Sequence, residues 1–450
     1  MFRRPGPSGS PPSFWRCARC NTPNPWAKYL THCVGCGAAR PPRPADPSPV
    51  AATATASSTS TRKERRGFSE TALAGSFLGA ASDVVYWLGK KTFRWAFSFS
   101  GHWISRVSWL YATLVLVVLI LIRSLGDRWW LPTALMFMPR WLFLFPIVVL
   151  AAMAGWARKL RLWILHGATL ALVAGPLMGV SLPVHQLWEA RPPGQRVRIL
   201  TLNQGNNGYN ALGLITLLDE QHIDIVCLQE GYTPPEGQAD PILESYFRKR
   251  WHRNKSLTIA SRWPIVEEFP PLDNPDGDES LWRARLNRVK VKAPSGAEFL
   301  VATVHMPSMY YALDRLTRGD VPSMQRHMAW RMEKMTLVAS ALASSPDVPL
   351  LVGGDFNMPS ESHLMSTLQM TGLRYAFDEA GWGYGYTRPS TSPWVRIDHI
   401  LAGEGWTTTR CWVGPDVGSD HLPLVAELIL DDSATAPASK TSSNPVAATP

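Results

Sequence analysis

The chain has 450 residues, more than one hydrophobic core usually spans, so at least two structural parts are expected. Its formal charge of +10 is typical of nucleic-acid-binding proteins. However, residues 1–190 hold 21 Lys and Arg against 6 Asp and Glu, whereas the remainder holds 24 against 29. The two halves therefore carry +15 and −5, which argues against a C-terminal half that binds a long polyanion through its net charge.

Four of the six cysteines form two Cys-x-x-Cys pairs near the N-terminus. Such pairs can each present two thiolates to a tetrahedral zinc ion. We therefore predict a zinc finger over residues 15–38, with zinc bound by Cys17, Cys20, Cys33 and Cys36. A segment this short cannot bury a core, so zinc would supply its folding energy. Two disulfides, or unused thiols, are the alternatives.

The string FWRCARCNTPNPW around the first cysteine pair resembles the small zinc fingers first described in a nuclear-pore Ran-binding protein. That family has a Trp two residues before the first Cys and an Asn four residues after the second, as Trp15 and Asn24 stand here. The spacer to the second pair is longer than in that family. The RNA or ubiquitin binding of some members is therefore not carried over, and the expected cytoplasmic partner of the finger is unidentified.

Two segments of the chain lack the apolar periodicity of a core-forming element, and a third has two possible interpretations. Residues 39–66 are rich in Pro, Ala, Ser and Thr, and residues 431–450 have no apolar periodicity, so both are predicted to be disordered, as linker and tail. Residues 67–103 carry apolar residues at roughly helical spacing, followed by interleaved basic and aromatic residues. An interfacial amphipathic helix and a soluble lead-in both remain open for this segment.

Three long apolar runs follow, at about 104–123, 139–157 and 162–184. Each approaches the ~20 residues that a bilayer core requires, so three transmembrane helices are predicted. Buried helices of a soluble protein are the alternative, but three such runs in succession are unusual in soluble cores. Tryptophans lie near the predicted ends, as in an interfacial aromatic belt: Trp129, Trp130, Trp141, Trp156 and Trp163.

The distribution of basic residues predicts the orientation of these spans. Lys and Arg concentrate ahead of the first span, which argues for a cytoplasmic N-terminus. With three spans, the C-terminal domain then lies outside the cytoplasm. The first long apolar run begins only after about 100 residues, so it would act as an uncleaved anchor. We therefore predict an integral membrane protein with an extracytoplasmic C-terminal domain.

Five short strings in the second half place polar residues at the ends of apolar, strand-like runs. They are LNQGN at 202–206, LQE at 228–230, GDFN at 354–357, RIDHI at 396–400 and GSDHLPL at 418–424. Catalytic residues often lie on loops that follow the strands of a rigid scaffold. This pattern is typical of an active site.

Three of these residues are candidate ligands for a divalent cation. Glu230 is a lone carboxylate at a strand end, where it can hold a hard cation such as Mg²⁺, or Mn²⁺, through oxygen. Asn203 offers an amide oxygen to the metal or to its water. Asp420, beside His421, is a further candidate ligand.

The other polar residues are suited to proton transfer. Asp355 and Asn357 flank one residue, so in an extended segment both side chains point to the same side. One can orient a nucleophile while the other donates to a developing oxyanion. Asp398 and His421 supply a carboxylate–imidazole pair, which fixes a histidine tautomer and keeps it basic. Such a site suits the attack of water on phosphorus.

Residues 196–430 resemble the endonuclease/exonuclease/phosphatase superfamily, and the order of its motifs is followed throughout. Besides the five strings, TIASRWPI at 258–265 and TVHMP at 303–307 match further family segments. The resemblance implies a four-layer α/β sandwich, with two packed mixed β-sheets flanked by helices. The same superfamily contains deoxyribonucleases, abasic-site endonucleases, sphingomyelinases and inositol polyphosphate phosphatases.

The resemblance also implies roles for individual residues. Asp398 would orient His421, and His421 would act as a general base or acid. His305 would bind the phosphate or protonate the leaving group, although a lone histidine is more often a packed residue. By the same resemblance Asn203, Glu230 and Asp420 would handle the metal. The two remaining cysteines, at positions 227 and 411, are expected to be buried free thiols.

The leading hypothesis is a membrane-anchored, divalent-metal-dependent phosphoesterase with His421 as base. Its substrate would be a phosphodiester, phosphomonoester or pyrophosphate, with a lipid headgroup or a nucleic acid as candidates. Similarity to bacterial membrane-anchored superfamily members favours a substrate near the outer membrane face. One alternative is an extracytoplasmic nuclease acting on DNA or RNA. A second is a non-catalytic membrane scaffold that binds a partner through its zinc finger.

Overall fold

The chain divides into two compact units, Met1–Ser82 and Asp83–Pro450. The computed structural model describes residues 102–205, 210–231, 246–247, 250–254, 256–270, 272, 285–346 and 348–431, and two short N-terminal strands. The four predicted zinc ligands, the predicted linker, residues 67–101 and the tail after Asp431 lie outside the described residues.

The two described strands of the first unit form a small antiparallel pair. Strand β1 (Phe14–Arg16) pairs with β2 (Pro23–Pro25), and Trp15 stands opposite Asn24. The first predicted cysteine pair lies between these strands in the sequence.

The second unit begins with four helices. They are α1 (His102–Leu125), α2 (Trp130–Phe137), α3 (Leu144–Trp156) and α4 (Arg161–Leu172). A 3₁₀ turn at Arg140–Phe143 precedes α3, a π-helical segment at Val173–Leu177 extends α4, and a second 3₁₀ turn spans Val184–Leu187. We refer to residues 102–178 as the helical bundle.

In the bundle, α3 runs antiparallel to α1 and to α4. Ile104 at the start of α1 packs with the end of α3 and the start of α4, through Ala154 and Leu162. At the opposite end, Ile122 packs with the start of α3 and the end of the π segment. The bundle therefore has two ends: the proximal end, near Ile122, is the one that contacts the following domain.

The three predicted membrane spans correspond in position to α1, to α2 with α3, and to α4. Of the described helices, α1 alone is long and apolar enough to cross a membrane, with 24 residues and a mean hydropathy of 2.1. The pair Trp130–Phe137 and Arg140–Trp156 passes only if counted together, and it is bent by 93°. Arg161–Leu177 is apolar but falls in the shorter class, of 10–17 residues. The count of three spans stays a prediction.

The rest of the unit contains two six-stranded sheets. The first sheet has the strand order β11-β12-β10-β9-β8-β7 and the second β13-β14-β3-β4-β6-β5. The bounds are β3 Gly194–Asn203, β4 Ile225–Gln229, β5 Trp251–Asn254, β6 Leu257–Ser261, β7 Ile265–Glu268, β8 Arg285–Lys292, β9 Glu298–His305, β10 Leu350–Asp355, β11 Arg374–Tyr375, β12 Asp398–Ala402, β13 Trp406–Val413 and β14 Leu424–Asp431. Each sheet contains one parallel pair, β3 with β4 and β9 with β10, so both are mixed.

The two sheets pack face to face, and helices cover their outer faces. The covering helices are α5 (Ala211–Glu220), α7 (Val321–Ala343) and α8 (His363–Gln369), whereas α6 (Tyr310–Thr317) packs on α7 and α9 (Ala376–Ala380) contributes Ala376 and Phe377 to the layer between the sheets. Apolar residues of both sheets, among them Ile199 and Val301, form a buried layer between them. Further layers join the first sheet to α7 and α8, and the second sheet to α5. This is the predicted four-layer α/β sandwich, which the structure confirms.

Two consecutive glycines in β10 have different surroundings. A Cβ on Gly353 would lie 3.3 Å from side-chain atoms of Cys227 and Thr201 in the facing sheet. A Cβ on Gly354 would lie 2.1 Å from the carbonyl oxygen of Val304 in the adjacent strand. Side chains can shift by a few tenths of an ångström, whereas a paired backbone carbonyl cannot easily move.

We therefore expect Gly354→Ala to destabilise the protein more than Gly353→Ala does. Overpacking costs about 1–3 kcal/mol, and we place Gly354→Ala at or above the upper end of that range. Thermal unfolding of the two variants in the same detergent measures the difference. Equal losses would contradict the contact that distinguishes the two positions.

Candidate active site

The predicted catalytic strings meet where strands of the two sheets end. In the first sheet, Asp355 at the end of β10 stands opposite His305 at the end of β9 and Asp398 at the start of β12. In the second sheet, Asn203 ends β3 and stands opposite Gln229, which precedes Glu230. The register of the strands therefore explains why residues distant in sequence share one site.

Asp355 lies at the centre of this site and is fully buried. One carboxylate oxygen accepts hydrogen bonds from Nδ2 of Asn203 at 2.9 Å and from Nδ2 of Asn357 at 3.0 Å. The other accepts the backbone N–H of Asn357 at 2.8 Å. Because Asn203 belongs to the facing sheet, the bond between Asn203 and Asp355 joins the two sheets at the site.

The amide of Asn203 acts as a donor toward the carboxylates. Its Nδ2 also donates to Oε1 of Glu230 at 3.1 Å, while its Oδ1 accepts the N–H of Gly205 at 2.9 Å. The oxygen that was predicted to face a metal is thus turned to the backbone. In this conformation Asn203 holds two carboxylates side by side.

Asn357 also differs from its predicted part. Its Nδ2 donates to Asp355 at 3.0 Å and to the carbonyl oxygen of Met306 at 2.9 Å, so both amide hydrogens are engaged. Its backbone has a positive φ of 51°, a conformation that side-chain-bearing residues seldom adopt. In this structure Asn357 positions Asp355, and its amide has no hydrogen left for a developing oxyanion.

Glu230 and His305 line the more accessible side of the site. Glu230 is 27% exposed and has a positive φ of 53°, which turns the chain at the end of β4. Nε2 of His305 lies 3.5 Å from Glu230 Oε1 and 3.8 Å from Asp355 Oδ2. Two carboxylates from different sheets therefore converge on one imidazole.

Asp398 and His421 form the predicted carboxylate–imidazole pair. Nδ1 of His421 lies 2.9 Å from Oδ2 of Asp398, which leaves Nε2 turned to Asp355 at 3.9 Å. Ser419 fixes the loop that carries His421: its hydroxyl donates to the carbonyl oxygen of Asn203 at 2.6 Å and accepts the N–H of His421 at 3.0 Å. The structure thus brings the two residues of this predicted pair into direct contact.

The charges of these buried groups depend on one another. Burial by itself would lower the pKa of His421, but the carboxylates of Asp398 and Asp355 raise it to about 9. Burial would raise the pKa of Asp398, yet His421 holds it below its ordinary range. Burial and the neighbouring Asp398 raise the pKa of Asp355. His421 is therefore an imidazolium, paired with Asp398, at neutral pH when no cation is bound.

Asp420 lies on the same loop but has a different partner. Its Oδ2 lies 3.0 Å from a guanidinium nitrogen of Arg388, and its side chain is 41% exposed. The backbone N–H of Ser390 donates to the carbonyl of Asp420 at 2.9 Å. Asp420 thus joins two loops at the rim of the site, and its part as a metal ligand stays a prediction.

Two sets of residues could hold a divalent cation. Asp355, Asp398 and His421 offer ligand atoms within 4.8 Å of one another. However, Asp398 and His421 are fully buried and already bonded to each other, so binding there would break their pair. The carboxylates of Glu230 and Asp355 both accept from Nδ2 of Asn203, and Glu230 is partly exposed, so a hard cation, which prefers such oxygens, could reach them without breaking the pair of Asp398 and His421. The residues at this edge therefore fit the predicted Mg²⁺ or Mn²⁺ better.

Sequence reasoning missed two arginines that the structure brings to the site. Arg388 is the rim residue described above, and no motif marks it. Arg331, in α7, is buried and donates from Nη2 to the carbonyl oxygen of Asn357 at 2.6 Å. Helical spacing places Arg331 on the same face as Met324, Met328 and Met335, and this signal could have identified it as buried.

The two cysteines outside the finger are free and buried, as predicted. Cys227 lies between the sheets and Cys411 lies in β13, and burial raises the pKa of both thiols. Neither contributes to the site.

Comparison with known proteins agrees with this geometry. A profile of the Endonuclease/Exonuclease/phosphatase family matches residues 200–421. This part of the chain is an endonuclease/exonuclease/phosphatase domain. Members of the superfamily are metal-dependent hydrolases of phosphate esters, and the chain is an enzyme of that class. A search of curated proteins found no match.

Solved structures with a similar fold include several members of the family. A family protein from Bacteroides thetaiotaomicron is 17% identical, with a TM-score of 0.41, covering 53% of this chain and 99% of its own. A mannosyl-6-phosphatase from the same organism is 16% identical, with a TM-score of 0.40, covering 52% and 99%. The human Nocturnin catalytic domain is 15% identical, with a TM-score of 0.36, covering 53% and 99%. Similarity at this level carries no information about substrate.

The raised pKa of His421 predicts a pH-dependent stability. A folded-state pKa of about 9, above the ordinary 6.5, adds stability that is fully present below pH 6.5 and is lost as the pH rises through 9. We expect the stability advantage of the wild type over His421→Gln to shrink across that window, by an amount on the order of 3 kcal/mol. Thermal unfolding in EDTA at several pH values measures it, and a constant advantage from pH 6 to 10 would contradict the ion pair.

Proposed function

We propose that this chain is a membrane-anchored, divalent-metal-dependent phosphoesterase. The observation that supports it most is the arrangement at the strand ends: Asp398 bonded to His421, His421 turned to Asp355, and Glu230 beside them. Proton-transfer groups and hard oxygen ligands are thereby brought together at one partly accessible edge.

His421 would transfer the proton of the attacking water. Asp398 holds Nδ1, so in the neutral imidazole, which the charge of a nearby bound cation would favour, Nε2 would accept that proton. Asp355, held by two amides, would orient the water. His305 lies at the accessible side, where as a cation it would bind the phosphate or protonate the leaving oxygen. The site thus contains a base, an orienting carboxylate and a second imidazole.

Glu230 and Asp355 would hold the divalent cation, with Asn203 fixing both carboxylates and Asp420 as a further candidate ligand. When bound, Mg²⁺ or Mn²⁺ would polarise the phosphoryl group and neutralise developing charge. The position of Glu230 and Asp355, which both accept from Asn203 and both lie near His305, supports this assignment, because paired carboxylate oxygens suit a hard metal ion.

The substrate would be a phosphodiester, phosphomonoester or pyrophosphate near a membrane surface. The charge of −5 after residue 190 disfavours a long polyanion, which supports a small phosphoester or lipid headgroup over DNA or RNA. Cleavage of nucleic acid remains the alternative activity. The scaffold alternative has no support from the site, because Glu230, Asp355 and the pair of Asp398 and His421 lie together at one edge of the sheets.

The surface of the helical bundle supports the membrane anchor. Only 22% of the most apolar window of α1 is buried, and large apolar side chains of three helices are exposed, for example Leu110, Val148 and Ile164 at 70%, 66% and 79%. Soluble proteins rarely expose such extended apolar surface. A bundle with apolar outer faces is what a lipid environment favours.

Basic residues support an extracytoplasmic catalytic domain. The distal end of the bundle, opposite the catalytic domain, has Arg158, Lys159 and Arg161 between α3 and α4, with no acidic residue. The proximal end also carries Arg123 and Arg128, but Asp127 lies between them in the sequence and Arg140 forms an ion pair with Glu361, so this end is less basic. By the positive-inside rule the distal end would be cytoplasmic, together with the N-terminal finger.

We expect the full-length protein in lipid nanodiscs with Mg²⁺ to hydrolyse at least one member of a panel of phospholipids, lipid pyrophosphates, DNA and RNA. Glu230→Gln should raise the Mg²⁺ concentration for half-maximal activity by roughly 10- to 100-fold, since it removes a ligand charge. Glu404→Gln, at an exposed turn, is the matched control and should leave it unchanged. If the well-folded wild type cleaves no member of the panel, the proposed activity is wrong, and preferred cleavage of DNA or RNA would establish the nuclease alternative.

Protease protection in sealed membrane vesicles tests the orientation. In right-side-out vesicles the catalytic domain should be digested while the N-terminal 100 residues are protected, because the two would lie on opposite sides. Digestion of both parts, or protection of both, would refute this topology and point to an even number of spans.

The N-terminal finger would bind one zinc ion through its four cysteines and contact a cytoplasmic partner. Metal analysis of the full-length protein should give about one zinc per chain, lost when Cys17 and Cys20 are changed together to Ser. Cys227→Ala, a thiol in the catalytic domain, is the control and should retain zinc. A zinc content near zero in the wild type would refute the predicted zinc finger.

A further inference from the structure

A loop beside the site belongs to none of the catalytic strings. We refer to residues 386–394, between α9 and β12 in the chain, as the rim loop. Its backbone joins the loop of the proposed base twice. The N–H of Leu422 donates to the carbonyl of Thr387 at 2.8 Å, and the N–H of Ser390 donates to the carbonyl of Asp420 at 2.9 Å. Because Asp420 and Leu422 are the two chain neighbours of that base, the rim loop lies directly beside it.

The helical bundle also bonds to the rim loop. The hydroxyl of Tyr386 donates to the carbonyl of Met178 at 2.7 Å, and Nε1 of Trp394 donates to the carbonyl of Phe137 at 3.4 Å. Tyr386 stacks on Tyr384 with ring centroids 5.2 Å apart, and Tyr384 packs against the apolar cluster at the proximal end of the bundle. The rim loop is thus held at both of its ends, which limits the positions open to its side chains.

The rim loop carries one arginine, which contacts the loop of the proposed base. Nη2 of Arg388 lies 3.0 Å from Oδ2 of Asp420, and the backbone of Arg388 pairs with Val395 in an antiparallel bridge. The carboxylate of Asp420 in turn lies beside Gly205, where a Cβ would be 2.4 Å from its Oδ1. The N–H of Gly205 also holds the amide of Asn203. Asp420 therefore fixes Arg388 where the loops of the base and of Asn203 meet.

The guanidinium of Arg388 has donors beyond the one that Asp420 engages. The ion pair involves Nη2, whereas a guanidinium carries several N–H donors in a planar fork that matches two oxygens of a phosphate. The side chain of Arg388 is 34% exposed, so an anion at the rim can reach it. Since Glu230, Asp355 and Asp398 make the site acidic, an anionic substrate requires such a cation.

We propose that Arg388 is a substrate-binding residue, which holds an anionic oxygen of the phosphate ester, and that Asp420 is the positioning residue for Arg388. This inference rests on the proposed hydrolytic function and adds the group that recognises the charge of the substrate. It also gives Asp420 a different role from that of a metal ligand. A cation bound to this carboxylate would release Arg388, so the two roles have different experimental consequences.

The kinetic consequence is a change in KM. Arg388 lies at the rim, where it would hold the substrate equally well before and during the attack of water, and such uniform binding lowers KM without raising kcat. Loss of a charge-assisted, bidentate contact should therefore raise KM roughly 10- to 100-fold. We expect kcat to stay within about threefold of the wild-type value.

The test uses the full-length protein in nanodiscs and the panel substrate that the wild type cleaves fastest. Arg388→Gln should raise KM by the stated factor, and Arg388→Lys, which keeps the charge but loses the planar fork, should restore part of the affinity. Arg410→Gln is the matched control: this exposed arginine of β13 lies over the ring of Trp412, and its loss should leave KM unchanged. A lower kcat with unchanged KM in a folded Arg388→Gln protein would overturn the substrate-binding role.

Asp420→Asn separates the positioning role from metal binding. We expect a higher KM and an Mg²⁺ concentration for half-maximal activity within about twofold of the wild-type value, because the variant misplaces Arg388 and removes no metal ligand. The double variant with Arg388→Gln should bind substrate no more weakly than Arg388→Gln alone, since both changes break one connection. A raised Mg²⁺ requirement with unchanged KM, or fully multiplicative effects in the double variant, would refute the positioning role.

Binding of inorganic phosphate gives a readout that needs no hydrolysis. Titration in EDTA, followed by the phosphorus NMR linewidth of the added phosphate, should give a dissociation constant at least about fivefold higher for Arg388→Gln than for the wild type or Arg410→Gln. If the wild type cleaves no member of the panel but this difference appears, the proposed function fails and the anion-binding role of Arg388 stands. Equal phosphate affinity in the wild type and Arg388→Gln, or no phosphate binding by the wild type, would refute that role.

Discussion

The hydrogen bond between Asn203 and Asp355 is the interaction on which the rest of the site depends. It joins the last residue of a strand in one sheet to the last residue of a strand in the other, so it fixes the relative height of the two sheets at their catalytic edge. Asp355 is buried and would be costly to ionise alone. Two amides and two histidines around it supply that stabilisation, and each of these groups is consequently oriented toward the place where chemistry would occur.

The bundle and the catalytic domain belong to one compact unit but place their apolar side chains differently. The sandwich buries its apolar residues between layers, whereas the bundle shows many of them on its outer faces and keeps polar and charged contacts for its proximal end. Asp127, Arg140 and the carbonyl of Met178 all engage the catalytic domain there. These polar groups of the bundle are therefore surrounded by protein and not by lipid.

The sandwich and the main catalytic residues could be predicted from the sequence, because both depend on patterns of neighbouring residues. Apolar strands that end in a carboxylate, amide or imidazole locate Glu230, Asp355 and Asp398 without any knowledge of tertiary structure. The sequence does not determine the direction in which a side-chain amide points. The donor roles of Asn203 and Asn357 therefore became apparent only from their contacts. The contacts of Arg331 with Phe137 and of Asp127 with Ser362 were also beyond the sequence, because each joins elements that are far apart in the chain. Helix lengths in the bundle were beyond the sequence for a related reason: apolar composition sets hydropathy, whereas the 93° bend divides the second apolar run into two helices.

The pairing of the first and last strands of the catalytic domain has a practical consequence. Asp431 at the end of β14 stands opposite Gly194 at the start of β3, so the chain enters and leaves this domain at one place. Strand β3 has 10 residues, which puts that place roughly 30 Å from Asn203 and the catalytic edge. A purification tag, a fluorescent label or a surface tether attached after Asp431 would therefore start from the end of the domain remote from catalysis, leaving the site free for substrates as bulky as a lipid bilayer.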